Sequence, residues 1–89
     1  MGEVIVKYKV MIDSESMENI DGICNEIQSI SDDVGAIQLV EKKPLAFGLM
    51  FAEVTAIIQD GEGKVGNFED TVKSFEGVTE IETLEMGRL

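Results

Sequence analysis

The stretch KKPLAFGL, residues 42–49, divides the sequence into two halves of similar pattern and contains its only proline. Because the residue before a proline is driven out of the α region, Pro44 ends whatever structure precedes it. Phe47 then opens the longest apolar run in the protein, and Gly48 beside it adds no side-chain bulk. Two interpretations fit. The stretch is either a hairpin turn leading into a core strand, or a protruding hairpin that offers Phe47 to a partner's pocket, as aromatic anchors do at interfaces.

The segment before this stretch has a strand pattern and then a helix pattern. Apolar residues alternate over residues 4–12, which predicts a half-buried strand. Residues 13–16 supply N-cap candidates, and an apolar stripe with spacings of three and four follows them, which predicts an amphipathic helix. The stripe consists of Met17, Ile20, Ile23 or Cys24, Ile27 and Ile30. Residues 36–41 read as a second strand.

The segment after the stretch repeats that order. We expect a long strand over residues 46–59, with its even-numbered positions facing the helices, and a turn over residues 60–63. A short helix then begins at Asn67 as N-cap and stops at Gly77. Its apolar face consists of Phe68, Val72 and Phe75. A last strand covers residues 78–86, whose glutamates discourage edge-to-edge aggregation.

Two βαβ halves in 89 residues predict one domain, residues 1–89, with a ferredoxin-like fold. This is an α+β, βαββαβ two-layer sandwich, in which a four-stranded antiparallel sheet carries both helices on one face. The other face of the sheet would stay open. On the two central strands we expect this face to show more apolar surface than a purely structural domain leaves wet. The expected residues are Ile5, Lys7, Lys9, Met11, Leu49 and Phe51.

Charge limits the classes of partner. Eighteen acidic and seven basic residues give a formal net charge of −11. Phosphate backbones and anionic lipids repel such a protein, so we expect no direct nucleic-acid or membrane binding, and a basic protein as partner. No apolar run approaches the roughly 20 residues that span a bilayer, and we expect no signal peptide. The single cysteine, Cys24, cannot form an internal disulfide, which fits the cytoplasm.

The residues predict no catalytic site, cofactor or metal. The sequence has no histidine, the commonest general base and transition-metal ligand. Residues 61–66 match G-x-G-x-x-G, but neighbouring acids would repel a pyrophosphate, and the chain cannot build the second half of a dinucleotide-binding domain. We interpret this motif as a turn. Asp32 with Asp33, or Glu80 with Glu82, offers too few oxygens for calcium.

The terminal sequence EMGRL has two interpretations. Arg88 is the only arginine, and it lies between the apolar Met86 and Leu89, with Gly87 allowing the backbone to approach another surface. One interpretation is a frayed tail with a solubilising charge. The other is a functional terminus, because a guanidinium is well suited to phosphate oxygens on a partner.

The element PLAFGL at residues 44–49, about forty residues ahead of the terminal MGRL, resembles the elongation factor 1-beta family. The resemblance covers the whole chain and is greatest to the archaeal form, a stand-alone domain of this length. It implies a guanine-nucleotide exchange factor, not an enzyme in its own right, for the translational GTPase elongation factor 1-alpha. Phe47 would lodge in a pocket of the GTPase, and Arg88 would enter the magnesium and phosphate end of its nucleotide site.

The same resemblance implies a grip on two domains of the GTPase by a protein that we expect to be monomeric when free. The implied partner-binding residues are Lys42, Lys43, Pro44, Phe47, Gly48, Met86, Arg88 and Leu89. Eukaryotic members usually have lysine where this chain has Arg88, and arginine is a planar fork where lysine is a point charge. They also carry extra N-terminal regions that this sequence lacks, so no larger assembly is inferred.

Two rival functions share the predicted topology. An RNA-recognition module would use Phe51 on the open sheet face, beside Lys7 or Lys9. The net charge argues against it, and no cluster of aromatic and glycine residues typical of that module is present. A small regulatory or oligomer-forming domain is the third possibility. It predicts self-association in sedimentation and no effect on any GTPase.

Overall fold

The structure, a computed structural model, describes residues 2–89. Its four strands make one antiparallel sheet in the order β2–β3–β1–β4, which confirms the predicted ferredoxin-like arrangement. The elements are β1 (Glu3–Ile12), α1 (Ile20–Gln28), β2 (Ala36–Pro44), β3 (Met50–Gln59), α2 (Lys64–Lys73) and β4 (Val78–Arg88). None of the helices within these residues is long and apolar enough to cross a membrane.

The core lies between the sheet and the two helices. Strict alternation along β1 and β3 sends every second side chain toward the helices, as expected for half-buried strands. The buried residues are Val4, Val6, Tyr8, Val10, Ile12, Ile20, Ile23, Ile27, Ala52, Val54, Ala56, Ile58, Phe68 and Val72. Gly35 is buried against the Phe68 ring, where an added Cβ would come within 2.5 Å of a ring carbon.

Several element boundaries differ from the sequence-based expectations. The predicted first helix begins with a 3-10 segment, Ser14–Asn19, before α1, because its serines and asparagine favour caps and turns over α-helix. The second helix begins at Lys64, not after Asn67, since Gly63 in the left-handed region (φ 75°) turns the chain directly into it. Residues 61–63 are therefore the turn predicted from the glycine motif, and Gly66 already lies inside α2.

The connection between β2 and β3 lies further along the chain than predicted. β2 extends to Pro44, which an edge strand tolerates because the missing N–H is not needed by a neighbour. The predicted strand over residues 46–59 was too long, because Ala46–Gly48 form a 3-10 turn and β3 begins at Met50. Leu49 is consequently outside the strand whose open face it was expected to join. Leu45 N–H donates to the Leu49 carbonyl at 2.7 Å and closes the loop.

Phe47 at the tip of this loop has φ 60° and ψ 33°, and it is the only residue other than glycine with positive φ in the part of the chain described. The left-handed conformation costs a residue with a Cβ about 1–2 kcal/mol. The ring is 98% exposed, so no burial within the protein offsets that cost. The tip therefore holds an aromatic side chain in a strained backbone conformation.

Replacing Phe47 with asparagine should stabilise the protein. Asparagine tolerates the left-handed region, whereas alanine keeps a Cβ penalty while also lacking the ring, so Phe47→Ala is the matched control. We expect the free energy of unfolding of Phe47→Asn in urea to exceed that of Phe47→Ala by about 0.5–1 kcal/mol. Equal stabilities for the two variants would show that the tip is not strained.

The only tyrosine, Tyr8, lies at the centre of the core. Its ring stacks on Phe68 with the centroids 5.6 Å apart, and its hydroxyl donates to Glu69 Oε2 at 3.0 Å. Burial, and then the Glu69 carboxylate, raise the pKa of Tyr8 well above its ordinary value of 10.0. The folded protein therefore keeps this hydroxyl protonated at a pH where the unfolded chain has lost the proton.

The free energy of unfolding should fall as the pH rises above about 10, because only the unfolded state ionises Tyr8 there. Below pH 10 both states are protonated, so the tyrosine contributes no pH dependence. At most about 1.4 kcal/mol should be lost per pH unit. Urea unfolding between pH 8 and 11.5 measures the slope, and Tyr8→Phe is the control that should lack this component. If the free energy of unfolding had the same pH dependence in both proteins, Tyr8 would not be its source.

Candidate functional site

The hairpin end of the sheet presents Phe47 to solvent. β2 ends at Pro44. Phe47 and Gly48 (φ 76°) are both in the left-handed region, so these two successive residues turn the chain sharply. Pro44 and Gly48 are also exposed. Of the two interpretations of this stretch, the geometry matches the protruding hairpin, because the Phe47 ring does not pack against the core.

The two lysines of the hairpin arm point to opposite faces of the sheet. Lys42 lies on the helix side, where its Nζ is 2.6 Å from Asp21 of α1, and this hydrogen bond raises the pKa of Lys42. Lys43 lies on the open face, with its Nζ 3.9 Å from Glu41. Lys42 thus forms an exposed ion pair with a helix, and Lys43 flanks Phe51, its partner on β3.

The C-terminal end lies in the sheet and is not frayed. β4 continues to Arg88, beyond the predicted end at residue 86, and Arg88 pairs with Val4 of β1. Leu89 N–H then donates to the Glu3 carbonyl at 2.9 Å. The side chains of Met86 and Leu89 are 53% and 66% exposed, so this end carries apolar surface beside the guanidinium.

A β-bulge decides on which face Arg88 emerges. The register shifts between Lys7 and Tyr8, which leaves Leu84 without a partner on β1. If Leu84 instead paired with Lys7 in a regular ladder, Arg88 would lie opposite Glu3 and on the open face, since a slip of one residue flips every side chain. The observed register puts Arg88 opposite Val4, on the side of the helices.

On that side the Arg88 guanidinium forms an ion pair with Asp60, which follows the end of β3. The Arg88 side chain nevertheless remains 77% exposed. Sequence reasoning identified Arg88 but missed Asp60, because 28 residues separate the two and only the strand order brings them together. No local pattern marks such a pair. The β4 bulge was missed for the same reason.

The predicted site residues of the hairpin and those of the C-terminus lie at opposite ends of the sheet. Phe51, near the hairpin, pairs with Met11, whereas Ile58 and Arg88 both flank Val4 at the other end of β1. At about 3.3 Å per strand residue, the rise from residue 51 to residue 58 alone is about 23 Å. Phe47 and Arg88 cannot therefore enter one pocket. A partner that contacts both must extend along the sheet.

The open face between the two ends is mixed in character. Direct partners in an antiparallel pair share a face. The register therefore places on it the acidic residues Glu41, Glu53, Glu80, Glu82 and Glu85 and the basic residues Lys7, Lys9 and Lys43. Lys9 Nζ lies 5.0 Å from the centroid of the Phe51 ring, the arrangement that the RNA-binding alternative requires. The excess of carboxylates still disfavours a nucleic acid on this face.

Near the C-terminal end the same face has a shallow depression of about 430 Å³. Gly87 contributes no side chain there, and Ile5 provides an apolar floor. The rest of its lining is Lys7, Thr55, Glu85 and Met86. On the two central strands, the open face is thus apolar at Met11 and Phe51 near the hairpin and at Ile5 and Ile57 near the other end, with charged residues between them.

The remaining chemistry of the described residues is limited. Cys24 is half-buried on α1, where burial, and then the carboxylate of Asp21, raise the pKa of its thiol away from the reactive thiolate. Within residues 2–89, no three acidic or cysteine side chains are grouped so as to hold a metal ion. The hairpin tip and the C-terminal end remain the features that a partner would meet first.

Comparison with known proteins identifies the family. Residues 5–89 match the EF-1 guanine nucleotide exchange domain. The chain is 30% identical to elongation factor 1-beta of Methanothermobacter thermautotrophicus, over 100% of this chain and 99% of that protein. It is 30% identical to elongation factor 1-beta of Natronomonas pharaonis over 100% of both chains, and 29% identical to that of Thermoplasma acidophilum over 93% of both.

The fold, the full-length similarity and the matched domain agree with the resemblance carried by the hairpin and the terminus. We conclude that this chain belongs to the elongation factor 1-beta family, whose shared unit is the EF-1 guanine nucleotide exchange domain.

Proposed function

We propose that this protein acts in the cytoplasm on the GTPase elongation factor 1-alpha, and that it exchanges GDP for GTP by holding the GTPase with Phe47 and directing Arg88 at its magnesium and phosphate site. The observation that carries this proposal is the pairing of an exposed ring, at the tip of a hydrogen-bonded loop, and a mostly exposed guanidinium on one hydrogen-bonded sheet. The net charge of −11 supports a basic protein surface as the partner.

Nucleotide exchange requires that the bound GDP be released from the GTPase, and no covalent bond is broken. A GTPase retains its nucleotide because magnesium and backbone donors neutralise the phosphates. A cation inserted at that site can disturb the metal's ligands and occupy the space around it. Arginine suits this position because its charge persists at any physiological pH and its planar fork matches phosphate oxygens. The protein itself would form no covalent intermediate and would not be an enzyme in its own right.

Thermodynamic linkage sets how much binding energy is needed. An exchange factor must bind the nucleotide-free GTPase better than the loaded form, and nucleotide must weaken its binding by the same factor. A thousandfold effect corresponds to about 4 kcal/mol of differential binding. An exposed ion pair contributes only about 0–1 kcal/mol, so Arg88 cannot supply this alone.

Phe47 supplies anchoring energy that brings Arg88 to the nucleotide site. Full burial of a phenylalanine side chain contributes about 1.5–3 kcal/mol, and a ring that is 98% exposed in the free protein can gain nearly all of it. Because backbone hydrogen bonds already close the loop, binding has to order little more than the Phe47 side chain there. Once Phe47 is bound, the rigid sheet keeps Arg88 at a high effective concentration near the second contact. This division of roles fits a grip on two domains of the GTPase.

Reversing the charge of Arg88 should abolish most of the exchange activity. We expect Arg88→Glu, and the variant lacking residues 88–89, to lose at least about tenfold in the accelerated release of a fluorescent GDP from elongation factor 1-alpha, since each loses a cation at the metal site. Lys73→Glu on the exposed side of α2 makes the same change in net charge and should release GDP at the full rate. A truncated protein with full activity would refute the role of Arg88.

Removing the ring of Phe47 should weaken binding to the GTPase more than it lowers the rate of GDP release from the complex. Phe47→Ala is expected to raise the concentration for half-maximal release by about 10- to 100-fold, the equivalent of the lost burial. The rate at saturation should change much less, because Arg88 is intact. Titration of GDP release against each protein separates the two quantities. Leu39→Ala removes another exposed apolar side chain and serves as the control. Equal half-maximal concentrations for wild type and Phe47→Ala would contradict the anchor.

A further inference from the structure

We propose that Asp60 is a positioning residue that holds the Arg88 guanidinium in the free protein and competes with the partner for it. The inference rests on the proposed function of Arg88 and adds a residue to it. The Arg88–Asp60 pair would have to open before the guanidinium reaches a phosphate group or displaces a metal ion. Asp60 would thereby set part of the energetic cost of exchange.

The backbone on both sides of the ion pair is fixed. Asp60 N–H donates to the Gly2 carbonyl at 2.9 Å, and Leu89 N–H donates to the Glu3 carbonyl at 2.9 Å. The residues that directly follow β3 and β4 are therefore both held against Gly2 and Glu3, where β1 begins. Since neither backbone needs to move, the change from the closed to the open pair is confined to the Arg88 side chain.

The contact itself is suited to opening. It joins one arm of the guanidinium, Nη1, to Asp60 Oδ2, and it is the only hydrogen bond or ion pair of the guanidinium within residues 2–89. The Arg88 side chain is 77% exposed and the Asp60 side chain 35% exposed, so water reaches both partners. Exposed pairs of this kind are weak and depend on salt concentration.

Electrostatics predicts whether the Asp60 charge helps or hinders Arg88. A guanidinium paired with a carboxylate has no net charge, so it attracts phosphate oxygens and repels a magnesium ion less than a free guanidinium does. The Asp60 carboxylate would also be drawn toward the same metal that Arg88 has to displace. Loss of the Asp60 charge should therefore make Arg88 more effective, not less.

The test compares Asp60→Asn with Glu62→Gln. Both substitutions keep the side-chain shape and change the net charge from −11 to −10, but within the described part of the chain only Asp60 contacts Arg88. We expect Asp60→Asn to increase the rate of GDP release from elongation factor 1-alpha by about 1.4- to 5-fold at low salt, the range for loss of an exposed ion pair. The gain should shrink at 0.5 M NaCl.

A double-mutant cycle shows whether the gain acts through Arg88. In the Arg88→Gln background, Asp60→Asn should have no effect beyond that of Glu62→Gln. If Asp60→Asn equals Glu62→Gln with Arg88 present, or slows release, the proposal is wrong. If wild-type protein fails to accelerate release at all, the proposed function is wrong, and the ion pair must be judged from the free protein.

Nuclear magnetic resonance of the free protein supplies that separate measurement. Arg88 is the only arginine, so its Nε–H signal is unambiguous. We expect Asp60→Asn, but not Glu62→Gln, to increase the mobility and the solvent exchange of this group. Unchanged mobility in Asp60→Asn would overturn the proposal, whatever the outcome of the exchange assay.

Discussion

Hydrogen bonding of β1 to its two neighbours is the constraint on which the rest of the structure depends. β1 pairs with β3 on one side and β4 on the other, so a single strand sets both the core and the position of the C-terminal residues. Its alternation sends Val4, Val6, Tyr8, Val10 and Ile12 into the core. The same alternation decides which residues of β4 share the helix side and which share the open face.

The two ends of the sheet present different groups to solvent, an aromatic ring at the hairpin and a guanidinium at the terminus. At the hairpin, a short loop with positive φ at Phe47 and Gly48 keeps an aromatic ring exposed at a cost in stability. At the terminus, the only arginine of a strongly acidic protein lies at the end of an edge strand. Strand pairing holds its backbone, while a weak ion pair with Asp60 occupies its side chain.

Most of the fold could be predicted from the sequence because the signals are periodic. The two-residue period of β1 and the stripe of α1 depend only on which side chains are buried, and both were recovered. Boundaries were less predictable where backbone conformation outweighs side-chain pattern. The apolar run after Pro44 looks like one strand, but Phe47 adopts a conformation that residues with a Cβ seldom take.

The candidate site was predictable only in part for a related reason. Phe47 and Arg88 are conspicuous as single residues, and the family resemblance pointed to both. Asp60 and the bulge at Leu84 depend on which strands become neighbours, and one sequence does not contain that information in any local window.

The alternation of the sheet also restricts how the reach of this protein can change during evolution. Inserting one residue in β4 between the bulge and Arg88 would lengthen the strand by about 3.3 Å but turn the guanidinium to the opposite face. Inserting two would restore its face and add about 6.6 Å. The spacing between ring and cation can therefore vary only in coarse increments. If the protein acts as proposed, a GTPase with slightly different dimensions would have to accommodate the mismatch by moving its own domains.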